Sequence, residues 1–95
     1  MVRMEVFDMI YDERERQAQK WGTVEGAWGK GDCSSPDIRP EVKAVVLGEE
    51  CGEVARAVLD RDGDGLAKEL VQVAAVAVAW LEMIVAAKHE QGTLL

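Results

Sequence analysis

Leu70-Val71-Gln72-Val73-Ala74-Ala75-Val76-Ala77-Val78-Ala79-Trp80-Leu81-Glu82-Met83-Ile84-Val85-Ala86-Ala87 is apolar on nearly every side when wound at about 100° per residue. Such a helix must be covered on several sides. As a membrane span it is short, and it carries Gln72 and Glu82. It therefore reads as a core or interface helix. Its start is predicted near Leu66, after the turn Asp60-Arg61-Asp62-Gly63-Asp64-Gly65, with Asp64 as its cap. It runs to about Glu90, and Gly92 stops it.

Upstream, Pro40 suits the first turn of a second helix, with Glu41 favourable beside it. That helix extends to about Asp60. A first helix is expected from Met4 to Lys20, with Phe7, Tyr11, Ala18 and Trp21 as its apolar stripe and Arg14 interrupting it. Residues 22–39 are a connector punctuated by Gly22, Gly26, Gly29, Gly31 and Pro36, with Trp28 as a candidate anchor. Eighteen residues is long for a loop in so small a domain, and such loops are often functional. There is no repeat, no strand alternation and no low-complexity tract. The expected fold is all-α: one domain over 1–95, a bundle of about three helices per chain. Two companions can hardly cover the third helix, so a second copy of the chain is expected to complete the bundle.

Eleven Lys and Arg against 18 Asp and Glu leave a net charge of −7. This repels nucleic acid phosphate and anionic membrane surfaces, so neither is an expected partner. Cys33 and Cys51 show no Cys-x-x-Cys spacing and His89 is the only histidine, which argues against zinc. A disulfide between the two is left open by spacing alone; Cys51 reads more simply as a small apolar residue. Arg3, Glu5 and Asp8 interrupt the first apolar residues, so no signal peptide is read and the cytoplasm is the expected compartment.

The acids are not scattered. Glu49-Glu50-Cys51-Gly52-Glu53 places Glu50 and Glu53 on one helix face among Val46, Val54 and Ala57. On the next helix, Glu69 and Gln72 share a side at i,i+3. If the two helices pack antiparallel, the four side chains can face one another. Carboxylates on apolar faces repel and lose hydration, which a cation relieves. Oxygen-only ligands suit Mg²⁺ or Mn²⁺. The bland alternative is a charged helix end with surface acids. The turn Asp60-x-Asp62-x-Asp64-Gly65 begins like a calcium loop, but its twelfth position is Val71 instead of Glu, so it reads as a turn.

Glu-Glu-x-x-Glu followed by Glu-x-x-Gln resembles the signature of the all-α nucleoside triphosphate pyrophosphohydrolases, in their MazG-like branch. The likeness extends over Glu13-Arg14-Glu15-Arg16-Gln17, Lys20-Trp21-Gly22, Val46 to Ala57 and Glu69 to Glu82. It implies cleavage of a (deoxy)nucleoside triphosphate to monophosphate and pyrophosphate, a Mg²⁺ requirement, and a homodimer or dimer of dimers. It also implies Glu50, Glu53 and Glu69 as metal ligands, with Gln72 where the family pattern has Asp. Glu49, about 100° from Glu50, is the candidate general base, and Glu53 is expected to be essential to turnover. Arg14, Lys20 and Lys43 are candidate phosphate contacts, with Arg16 and Lys68 as further cations, and Trp21 is a candidate base-stacking residue. A surface charge or an ion pair is the alternative for each cation, and a hydrophobic anchor for Trp21. A rival reading is a helical dimer silenced by Gln72 that binds a nucleotide or a protein partner.

Overall fold

The computed structural model describes residues 1–92 as three helices and one minimal hairpin: α1 Val2–Trp21, β1 Glu25–Gly26, β2 Gly29–Lys30, α2 Pro40–Leu59 and α3 Gly63–Glu90. Among the described residues the regular structure is all helical apart from that hairpin, in which β1 and β2 pair antiparallel, Glu25 opposite Lys30. No strand was expected here; two-residue strands are too short to show alternation. Gly29 at φ +127° makes the hairpin possible, since a Cβ there would meet the Asp37 carboxylate at 2.9 Å.

The turn between α2 and α3 also differs from expectation. Arg61 takes a left-handed conformation (φ 54°), and Asp62 caps α3 by accepting the Gly65 N–H at 2.9 Å. The cap is therefore Asp62 instead of Asp64, and α3 begins at Gly63. Pro40 opens α2 as expected.

α3 is the hub. It packs against α1 and α2, which do not pack against each other. Ala75 and Ala79 are fully buried, and their small size lets helix backbones approach. Val76, Cys33 and Ala79 form the core cluster, with Val46 and Leu47 against it. On α1 the covered positions are Ile10, Glu13, Arg14, Gln17 and Ala18, a helical face one step round from the expected stripe. Phe7, Tyr11 and Trp21 are exposed instead.

Much apolar surface remains uncovered. Only 17% of the most apolar 18-residue window of α3 is buried, although its mean hydropathy is 2.1, enough by length and composition for a span. The chain exposes 6933 Å², where a compact monomer of 10.4 kDa exposes about 5400 Å². Its radius of gyration is 14.4 Å, against about 12 Å for a compact domain of this length.

Candidate functional site

The α2–α3 hairpin brings two of the predicted carboxylates together. With its amide nitrogen turned toward them, Gln72 donates to Glu50 Oε2 at 3.1 Å and to Glu69 Oε2 at 3.0 Å. One neutral side chain thus bridges an acid from each helix. Glu50 is partly buried, and its pKa is raised by that burial, then by Glu69, Glu53, Glu49 and Glu13. Glu49 and Glu53 lie on the exposed side of α2. Among the described residues no three Asp, Glu, His or Cys side chains are grouped to hold a metal ion by themselves. Two carboxylates and an amide oxygen nevertheless fit Mg²⁺, which is usually held by one or two carboxylates together with substrate phosphates. Half a turn of the Gln72 amide presents its oxygen to that position.

Glu50 and Gln72 open into a cavity of about 550 Å³. Val46 and Val76 continue its floor, the connector supplies Trp28, Asp32 and Cys33, and α1 supplies Arg16, Lys20 and Trp21. Lys20 Nζ stands 4.8 Å from the centroid of the Trp21 ring, a cation–π contact. Arg16 pairs with Glu13 through contacts of 2.8 and 2.6 Å, and the Arg16 hydrogen bond is the main cause holding the Glu13 carboxyl below its ordinary range. The cavity thus has an acidic end, a cationic rim and two indoles.

Arg14 and Lys43 have a different place. Neither lines the cavity. Arg14 is 8% exposed. Its Nε donates to Glu82 Oε2 at 2.6 Å and its Nη1 to Asp32 Oδ2 at 2.8 Å. Lys43 is fully buried, and its Nζ donates to the Ser35 carbonyl at 2.9 Å. Burial lowers the Lys43 pKa, with Cys33 and Asp32 opposing. Burial alone would raise the Asp32 pKa. Hydrogen bonds from the Ser34 hydroxyl and N–H, together with Arg14, outweigh it and hold this carboxyl below the usual range. Cys33 and Cys51 are both free thiols, one buried and one exposed.

Sequence reasoning passed over Asp32, Glu82 and Cys33 as members of this region. One signal was available: a charged residue interrupts an apolar stripe on each of two helices, Arg14 on the first and Glu82 on the third. Opposite charges in such positions are natural partners. Compared with known proteins, the chain matches no family model, no curated protein and no solved structure.

Proposed function

We propose that this chain is a Mg²⁺- or Mn²⁺-dependent nucleoside triphosphate pyrophosphohydrolase of the MazG-like kind, acting as a cytoplasmic homodimer or dimer of dimers. The observation that carries the reading is the meeting of Glu50, Glu69 and Gln72, two of which, Glu50 and Gln72, form one end of a cavity with a cationic, aromatic rim. The cation, when bound, neutralises the triphosphate and activates water. Glu50 and Glu69 hold it, Gln72 contributes its amide oxygen, and Glu53 adds negative charge from the next turn. Arg16 and Lys20 attract the phosphates from the rim, and Trp21 presents an indole face to the base. Glu49 accepts the proton of the attacking water. The water oxygen bonds to the α-phosphorus, the bridge to the β-phosphate breaks, and pyrophosphate leaves.

The dimer rests on area. The chain exposes 6933 Å², about 1500 Å² more than a compact monomer of its mass and roughly twice the ~800 Å² that each partner contributes to a standard interface. Exposed Leu70, Val78 and Leu81 place part of that surface on α3.

One observation favours the rival reading, a non-catalytic dimer that binds a nucleotide or protein. With its nitrogen turned toward them, the Gln72 amide gives each carboxylate one donor without any cation. A panel of ribo- and deoxyribonucleoside triphosphates with Mg²⁺ or Mn²⁺ separates the two, pyrophosphate and orthophosphate being followed independently. Pyrophosphate with monophosphate is the expected outcome. Orthophosphate with diphosphate refutes the bond assignment, and no turnover on any member of the panel favours the silent dimer.

A further inference from the structure

Among the described residues only two charged side chains are buried, Arg14 and Lys43. They come from α1 and α2, the two helices that do not pack against each other. Both end on the same four residues of the connector. Arg14 holds the Asp32 carboxylate, and Lys43 holds the Ser35 carbonyl. Glu82 grips the other side of the Arg14 guanidinium and ties it to α3. Asp32 also gathers the Ser34 N–H at 2.8 Å and the Ser34 hydroxyl at 2.5 Å. Cys33, between the two grips, turns into the core against Val76 and Ala79. Removing a cation from water is unfavourable, and no carboxylate forms an ion pair with Lys43 among the described residues. An apolar side chain would fill the Lys43 position at lower cost. What the two cations secure is a wall. Gly31, Asp32 and Cys33 line the cavity, and the hairpin bearing Trp28 leads directly into them.

We propose that Arg14 and Lys43 are positioning residues that clamp Asp32–Ser35 from two helices, so that the connector wall seats the nucleoside part of the ligand at a fixed distance from the Glu50–Gln72 end. The inference rests on the nucleotide reading of the cavity. It assigns these cations to the shape of the nucleoside seat and away from the phosphates.

Lys43→Met tests it cleanly. Methionine fills a similar volume without charge, so the fold is expected to melt at an unchanged or higher temperature while the Ser35 carbonyl loses its tether. Arg14→Lys is the second variant; it keeps the charge but loses the two-sided grip. Three quantities are measured on the full chain. Mn²⁺ binding alone is followed by electron paramagnetic resonance. Binding of the α,β-imido analogues of dATP, dGTP, dCTP and dTTP with Mg²⁺ is followed by tryptophan fluorescence. Exchange of the Gly31, Ser35 and Ile38 amide hydrogens is followed by NMR.

Unchanged Mn²⁺ affinity, faster exchange in the connector and nucleotide affinity weakened about tenfold are expected for Lys43→Met, with a similar loss for Arg14→Lys. A stable Lys43→Met protein whose nucleotide affinity equals the wild type overturns the positioning role and leaves the functional reading intact. Connector exchange unchanged in both variants also overturns it. If the wild type binds none of the four analogues, the functional reading fails and the positioning role falls with it.

Discussion

Replacing Gln72 by Asp exchanges a neutral bridge for a third negative charge. In the wild type the amide donates to Glu50 and Glu69 at 3.1 and 3.0 Å. A hydrogen bond to a charged group contributes about 1.5–3 kcal/mol when well buried. Both glutamates are only partly buried, so the two bonds together are worth roughly 2 kcal/mol. A carboxylate about 4 Å from another repels it by about 4 kcal/mol at an effective dielectric of 20, and less where water reaches. The metal-free Asp variant is therefore expected to lose at least about 3 kcal/mol of stability, or more than about 12 °C in melting temperature for a domain this size. A divalent cation relieves that repulsion and no longer displaces an amide. About 3 kcal/mol of relief corresponds to roughly 100-fold tighter binding. Melting in EDTA and in saturating Mg²⁺, with calorimetric Mg²⁺ titration, reads both effects. The expected pattern is a variant that is weaker than wild type without metal and recovers with it. Equal or weaker Mg²⁺ binding by the Asp variant refutes the reasoning, because it would mean that Gln72 is not the compromised ligand of a cation site.

Sedimentation at micromolar concentration should show a dimer or larger species, and Leu81→Glu on the exposed side of α3 should shift it toward monomer; a monomeric wild type contradicts the uncovered area of α3. Glu53→Gln should abolish pyrophosphate release while the helical circular dichroism persists, and hydrolysis in ¹⁸O-water should label the monophosphate; label in pyrophosphate places the attack elsewhere. Asp32 has its folded pKa depressed, so its contribution to stability is full above the ordinary aspartate range and is lost as pH falls through the depressed value. Tryptophan fluorescence during acid titration should report this loss, and Asp32→Asn should be less stable at neutral pH yet show a flatter acid limb; an unchanged acid limb removes Asp32 from the connector's stability.

Periodicity located all three helices to within a few residues, because each is long and α3 is apolar beyond doubt. The acidic pair was legible for the same reason: Glu50 at the middle of one helix and Glu69 near the start of the next must meet if the hairpin is antiparallel. What escaped was decided by tertiary contact. Phe7 and Tyr11 look like a packing stripe, yet α1 turns a face one step round to meet α3, the face from which Arg14 reaches both Asp32 and Glu82. Asp62 and Asp64 are equally good caps by chemistry, and the left-handed Arg61 selects the earlier one. The hairpin around Trp28 rests on Gly29 with its positive φ and on the Lys30 N–H donating to the Asp37 carboxylate, which no pattern over two residues can announce.

Ala75 and Ala79 have 0% and 1% of their surface exposed at the hub of the molecule. Each is hemmed in from both directions of change. A larger side chain must push helices apart, at about 1–3 kcal/mol. Glycine, the only smaller choice, weakens the middle of α3 by roughly 1 kcal/mol. Two residues along from Ala79, Leu81 is 55% exposed and the isolated chain gives it nearly unlimited freedom. A saturation mutagenesis map of α3 should therefore divide into two classes. The alanines will be intolerant under any assay that demands folding. Leu81 will be intolerant only under one that demands assembly, and the difference between the two maps would trace, residue by residue, the face of α3 used in the proposed dimer.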